Sequence, residues 1–418
     1  MSGRRFASVL AGLFALAACS GHVGDGSVAA PASPADSAVP SAPAVSAQSN
    51  FQPPPSKDGA HGLPGGSGYI ALPGESAHGL PGANFACSPP WFDGQAQCTI
   101  AINLNVRPNP NAGLPAASIP GLHPSDLASA YKLLVGGGAQ RTIAIVDAYD
   151  DPAAEADLAV YRAAFGLPPC ASATGCFKKV NQRGQTWNFP PLDPGWAQET
   201  ALDLDMVSAA CPKCKLVLVE ANSSLMNDLG AGVDCAASFH PISISNSYYA
   251  WEWASEGLEE VHYHHPGIAV TVSSGDHHYQ SYPAASRYVT AVGGTTLNGK
   301  PGSWTESPWT FSGGGCSAYI AKAFTQPGST CMTRAAVDVA AVADPNTGVS
   351  VFSSLAGGWI VAGGTSVGAP LVAAAYALAG RGDGPSYSYS HATAFHDVLP
   401  RGFDLKTGLG APSGVAGL

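Results

Sequence analysis

Gly363-Gly364-Thr365-Ser366-Val367-Gly368-Ala369-Pro370 stands between two apolar segments of different character. Trp359-Ile360-Val361 ahead of it reads as a strand, and Leu371 to Ala379 behind it as an alanine-rich buried helix. A serine where such a helix begins has its hydroxyl among backbone N–H groups that lack intrahelical acceptors. Donors of that kind stabilise an oxyanion. A plain serine cap on a buried helix is the bland alternative. Gly364-Thr365-Ser366-Val367-Gly368 also fits the G-x-S-x-G nucleophile elbow, which needs an acid and then a histidine further along the chain. Only 52 residues follow Ser366, offering Asp383, Asp397, His391 and His396, too little chain for the usual sheet extension.

Working outward, strand and helix patterns alternate. Pro124-Ser125-Asp126 opens an amphipathic helix through Leu127, Ala130, Tyr131 and Leu134. Thr142 to Val146 is a wholly apolar run ending at Asp147, as in a buried parallel strand. Further strands are expected at 215–219, 242–245 and 268–273, and helices at 153–165, 197–210, 226–238 and 255–264. That alternation predicts an α/β fold around a central, mostly parallel sheet flanked by helices, with functional groups at the carboxyl ends of strands. Asp147, Asp276 and Ser366 sit where that rule wants them.

A nucleophilic serine needs a base. In Gln198-Glu199-Thr200-Ala201-Leu202-Asp203-Leu204-Asp205-Met206-Val207, Glu199 and Asp203 are four apart and share a helix face with Leu202 and Met206. Two carboxylates turned toward an apolar core need a shared proton or partners. Acids complementing a helix N-terminus explain Glu199 well but an inward Asp203 poorly. Asp205 is expected to point elsewhere, into solvent.

Gly-Thr-Ser with Pro370 four positions after the serine resembles the nucleophile helix of the subtilisin-like superfamily. A true subtilase wants an aspartate on the first strand, which Asp147 fits, and a His-Gly-Thr helix start. His123 and the His262, His264, His265 group lack that context and are expected on a helix face or loop. With GGTSVGAP, ETALD at 199–203, SSGD at 273–276 and YPAASRYVTAVGGT at 282–295, residues 118–418 resemble the sedolisin family, the serine-carboxyl peptidases. The resemblance implies a three-layer subtilisin-like fold and an endopeptidase with a Ser-Glu-Asp triad, acting on peptides or proteins in acid. Ser366 would be the nucleophile, Glu199 the base and then acid, Asp203 its orienting partner, and Asp276 an oxyanion donor that works only when protonated. The alternatives are a silent relative kept for binding and a histidine-dependent hydrolase.

Three departures from the family stand out. Its large folded propeptide is replaced by about 100 low-complexity residues. Ser245-Asn246-Ser247-Tyr248-Tyr249 resembles a cleft strand that normally ends in glycine, so Tyr249 is expected to narrow the cleft. The family's calcium site is matched at its ends by Asp397, Val398, Gly402 and Asp404, with a shortened loop and Pro400 in place of a glycine.

The N-terminus reads as an address. Arg4 and Arg5 precede the apolar run Phe6 to Ala18, and Leu16-Ala17-Ala18-Cys19-Ser20 resembles a bacterial lipobox. Residues 1–19 are therefore expected to be a lipoprotein-type signal, with an ordinary signal cut near Ala18 as the alternative. Membrane attachment would come through lipid on Cys19. The protein would be exported, and either lipid-anchored to the envelope or secreted. Residues 20–117 read as a mostly disordered Pro/Gly/Ala/Ser-rich tether that carries AHGLPG twice, with His61 and His78 as solvated residues. Pairing Cys87–Cys98, Cys170–Cys176, Cys211–Cys214 and Cys316–Cys331 fits the local spacings and leaves Cys235 over, in an apolar setting. A net charge of −10 argues against nucleic acid. Beyond the N-terminus no apolar run is long enough to span a bilayer. A monomer is expected.

Overall fold

A computed structural model describes residues 80 and 82–418, except 323–325 and 401. The signal-like segment with Cys19, and His61 and His78, lie outside the described residues.

The chain opens with three short strands, β1 (Ala83–Phe85), β2 (Gln97–Cys98) and β3 (Ala101–Asn103), before helix α1 (Pro124–Ala130). Then come β4 (Thr142–Ala148), α2 (Ala154–Ala164), β5 (Phe177–Asn181), α3 (Pro194–Ala210), β6 (Lys215–Ala221) and α4 (Met226–Ala237). They are followed by β7 (Ser243–Asn246), β8 (Tyr248–Tyr249), β9 (Ala269–Ser273), β10 (Thr290–Asn298) and β11 (Thr305–Pro308). A small hairpin, β12 (Cys316–Ala321) with β13 (Thr333–Ala335), precedes β14 (Val339–Val342), β15 (Val349–Ser353), β16 (Gly358–Gly363) and α5 (Thr365–Ala379).

The main sheet runs β11-β10-β9-β7-β4-β6-β5, with β14 also on β10. All its pairings are parallel except β10 with β11. Parallel strands are covered on both faces, so they read as unbroken apolar runs; Ile143 to Val146 are all fully buried. Helices α3 and α5 pack on each other and on β4, while α4 packs on β4 and β6. The expected α/β fold is therefore present. Its central elements fall within a few residues of the expected positions, except that 256–263 forms a 3-10 helix where an α-helix was expected.

Two expectations change. Residues up to 117 were expected to be tether, but β1, β3, β16 and β15 form a second sheet. In it β3 runs antiparallel to β16, Ile102 opposite Ala362 and Ala101 opposite Gly363. Strands of two or three residues between prolines and glycines are too short to show a period in sequence. Asp205, expected in solvent, is buried, and its Oδ2 accepts the Phe352 amide at 3.0 Å. Strand β15 covers that side, so α3 is enclosed on nearly all faces.

The four local disulfides are formed as the spacings suggested. Cys235, expected to be left over, is disulfide-bonded too. Among the described residues no helix is long and apolar enough to cross a membrane.

Candidate active site

Ser366 is the second residue of α5, and the helix start is set by Gly364 at φ +94°. A Cβ there would stand 1.7 Å from the Thr99 carbonyl oxygen and 2.7 Å from Asp276 Oδ2, so only glycine lets these groups approach. Helix α3 is started by Pro194 and by the Asp193 carboxylate, which accepts the Gly195 and Trp196 amides at 2.9 and 3.0 Å. About one and a half and two and a half turns later it presents Glu199 and Asp203, both fully buried. Asp276 comes from the loop after β9, and Asp147 from the carboxyl end of β4; both are fully buried.

Glu199 Oε2 accepts the Ile100 amide at 2.7 Å, and Asp203 Oδ1 accepts the Ser247 hydroxyl at 2.8 Å. The other oxygen of each, Glu199 Oε1 and Asp203 Oδ2, has no hydrogen-bond partner among the described residues. A proton shared by the two carboxyls satisfies both oxygens, and buried polar atoms are rarely left unsatisfied. Burial raises Glu199 well above the usual carboxyl range, and Asp147 beside it adds to the rise. The Ser366 hydroxyl and the Ile100 amide oppose it. Burial also raises Asp203, helped by Asp147 and Glu199. Burial pushes Asp147 itself up to about 7, against the pull of Thr200.

Asp276 is pushed up to about 7 by burial, against hydrogen bonds from Thr365. Its Oδ1 accepts the Thr365 amide at 2.9 Å and the Thr365 hydroxyl at 2.7 Å, while Oδ2 has no partner among the described residues. A proton on this acid therefore belongs on Oδ2, the atom that faces Gly364. Below neutrality the acid is a hydrogen-bond donor placed at the start of α5.

The carboxyls carry a stability consequence. A group whose folded pKa is raised stabilises the fold fully below its unfolded value near 4, and that stability is lost as pH climbs through the folded value. Asp147 and Asp276 lose theirs on the way to about pH 7, at roughly 1.4 kcal/mol per pH unit for each group. We expect the urea midpoint of the chain to fall between pH 4 and pH 7; a midpoint that rises over this range would contradict the placement of these acids.

The Ser366 hydroxyl meets Thr99 Oγ1 at 2.5 Å, and it also pulls the Glu199 carboxyl down against its burial. His123 caps α1, and His262 and His265 pair with Asp234. Sequence reading took Asp147 for a subtilase-like first-strand acid; the structure makes it the third member of a carboxyl cluster. It missed Thr99 and Ile100 entirely, because their stretch had been assigned to the tether. The spacing of Cys87 and Cys98 was the signal that this stretch is ordered.

The calcium residues are a separate matter. Asp404 Oδ1 accepts the Lys406 and Thr407 amides at 2.7 and 2.9 Å, and its Oδ2 accepts the Thr407 hydroxyl. Asp397 Oδ2 accepts the Gly402 amide at 2.8 Å, leaving one buried oxygen, Oδ1, with no hydrogen bond among the described residues. Calcium takes six to eight oxygens. Among the described residues no three His, Cys, Asp or Glu side chains are grouped to hold a metal. The Asp397, Val398, Gly402 and Asp404 set, as arranged, does not fit the ion.

Kumamolisin from Bacillus sp. (strain MN-32) is 28% identical over 360 residues, covering 70% of this chain and 62% of the relative. The chain thus spans less than two thirds of that protein's length. Among solved structures, Pseudomonas sedolisin, a serine-carboxyl proteinase complexed with two molecules of pseudo-iodotyrostatin, superposes with a TM-score of 0.62. It is 22% identical, and the match covers 71% of this chain and 96% of sedolisin. The chain is thus similar in sequence to kumamolisin and in fold to sedolisin. No protein-family model matches it. Its subtilisin-like fold is the sedolisin fold.

Proposed function

We propose that the chain is a serine-carboxyl endopeptidase that hydrolyses peptide bonds in acid. The observation that carries this reading is that buried Ser366 acts on the Glu199 carboxyl, which lies one helix turn from buried Asp203, while buried Asp276 holds Thr365, the residue before Ser366. Glu199 takes the Ser366 proton as the hydroxyl attacks the peptide carbonyl, then returns it to the leaving nitrogen. Asp203 shares a proton with Glu199 and keeps it oriented. Protonated Asp276 donates from Oδ2 to the oxyanion. Extended peptides suit the site, because β8 pairs there with an extended segment, β2. Cleavage of a blocked oligopeptide near pH 4 tests the reading.

A second reading is favoured by one observation. Ser366 is wholly buried beneath Thr99, as it would be in a silent relative kept for binding. A folded chain that cleaves no peptide even with that contact removed would leave this reading in place.

Export is part of the proposal, supported by the signal-like N-terminus and by structural disulfides that persist in oxidising compartments. Lipid on Cys19 would anchor the chain to the envelope, and a monomer suffices for the chemistry. For calcium, a ligand bound only by the folded state raises its melting temperature with concentration. We expect melting to be the same in millimolar calcium and in chelator; a calcium-dependent rise would show that the Asp397–Asp404 loop rearranges to bind the ion.

A further inference from the structure

The groups around Ser366 are already engaged, and by this chain's own backbone. Strand β2 lies antiparallel to β8, Gln97 opposite Tyr249 and Cys98 opposite Tyr248. The Thr99 amide continues the ladder to the Ser247 carbonyl at 3.4 Å. Beyond Ile100 the chain enters β3 and pairs with β16, the strand that leads into the nucleophile helix. Thr99 and Ile100 therefore bridge the two pairings directly over Ser366.

The peptide bond between them is oriented as a substrate bond would be. Its carbonyl oxygen lies against Gly364, on the side where Asp276 Oδ2 is unengaged. Its nitrogen donates to Glu199 Oε2 at 2.7 Å, the carboxyl that must protonate a leaving nitrogen. The Thr99 hydroxyl holds the Ser366 hydroxyl at 2.5 Å. Both ends of the stretch are fixed. The Cys87–Cys98 disulfide closes a loop behind it. The Gln97 amide donates to the Cys87 carbonyl at 2.8 Å and accepts the Tyr249 hydroxyl at 2.6 Å. The Ala86 amide donates back to the Ile100 carbonyl at 3.3 Å. Gln97 through Ala101 are all buried.

We propose that residues 97–100 are a built-in occupant of the peptide cleft, aligned with Thr99–Ile100 over Ser366, which keeps outside peptides out until it is displaced. This rests on the peptidase reading of Ser366, Glu199 and Asp276. The physics favours the resident. A tethered strand competes at an effective concentration in the millimolar range, and its ordering cost is already met by the disulfide and the two pairings. Tyr249, where the family cleft strand has glycine, serves the resident by holding Gln97.

The test uses a dye-labelled octapeptide with the sequence of residues 96–103 and serine at the place of Cys98. Its affinity is measured by fluorescence anisotropy in the Ser366→Ala chain, with and without Cys87→Ser, Cys98→Ser and Thr99→Pro. These changes open the loop and remove the Thr99 amide and hydroxyl contacts. We expect affinity to rise at least tenfold on loosening, and with Ser366 present kcat/KM for a blocked peptide to rise at least tenfold as well. Equal affinity in both chains overturns the proposal. Tighter binding without cleavage by any chain upholds the occupant and sinks the peptidase reading. Cleavage as fast by the intact chain as by the loosened one does the reverse. Should the loosened chain not fold, hydrogen exchange in the unmodified chain decides: slow exchange across 97–103 supports the occupant, and exchange at the free-chain rate in a folded protein overturns it.

Discussion

On the proposed peptidase reading, Ser366→Ala is expected to abolish peptide cleavage, on the order of 10⁶ in turnover, and to leave the fold standing. The size follows from the role: without the hydroxyl no acyl-enzyme forms, and only binding and the oxyanion donor remain. The fold survives because Ser366 lies in the first turn of α5, where alanine is a good helix former, and its contact to Thr99 adds to a strand already fixed at both ends. The loss should appear in the intact chain and in one with the 97–100 strand loosened, measured beside circular dichroism. Retained turnover in a folded Ser366→Ala chain means that another nucleophile is in use.

Glu199→Gln is expected to be nearly as damaging, on the order of 10⁴ or more. A glutamine amide still accepts the Ile100 hydrogen bond, so the local structure keeps its partner, but it cannot take the serine proton. A second signature separates this from misfolding. Burial raises the Glu199 pKa, so its ionisation costs stability as pH rises. The glutamine chain should therefore be more stable than the parent at neutral pH while being inactive at every pH. The control is His277→Ala, since His277 packs on Tyr249 and Trp251 next to Asp276. Loss of activity there, with Glu199→Gln harmless, would make an imidazole the base.

The central sheet and the paired buried carboxyls were legible in sequence for one physical reason. Buried parallel strands such as Thr142–Ala148 announce themselves as apolar runs, and an acid four residues from another on an apolar helix face has few innocent explanations. Asp205 was misjudged because a helix wheel gives direction, not what lies there; β15, nearly 150 residues later in the chain, encloses it. The N-terminal strands were invisible because each is three residues or fewer and takes its stability from β16 and β8. Thr99 has no local signal at all. Its meaning depends on Ser366, 267 positions away. The calcium residues show the opposite failure: their spacing survives in the sequence, while the carboxylates are engaged in local turns.

The most direct test of the account is the pH dependence of kcat/KM for a blocked oligopeptide, measured in the parent chain and in Asp276→Asn. Asp276 donates only while protonated, and burial places its titration at about 7. Glu199 and Asp203 must hold a proton between them as well. The account predicts an acid profile whose alkaline limb lies no higher than about pH 7. Asparagine at 276 supplies a donor that needs no proton, so that limb should move upward, with lower activity overall. A parent profile that rises with a limb near the histidine value of about 6.5 and peaks at pH 8 would contradict the assignment of Ser366, Glu199, Asp203 and Asp276.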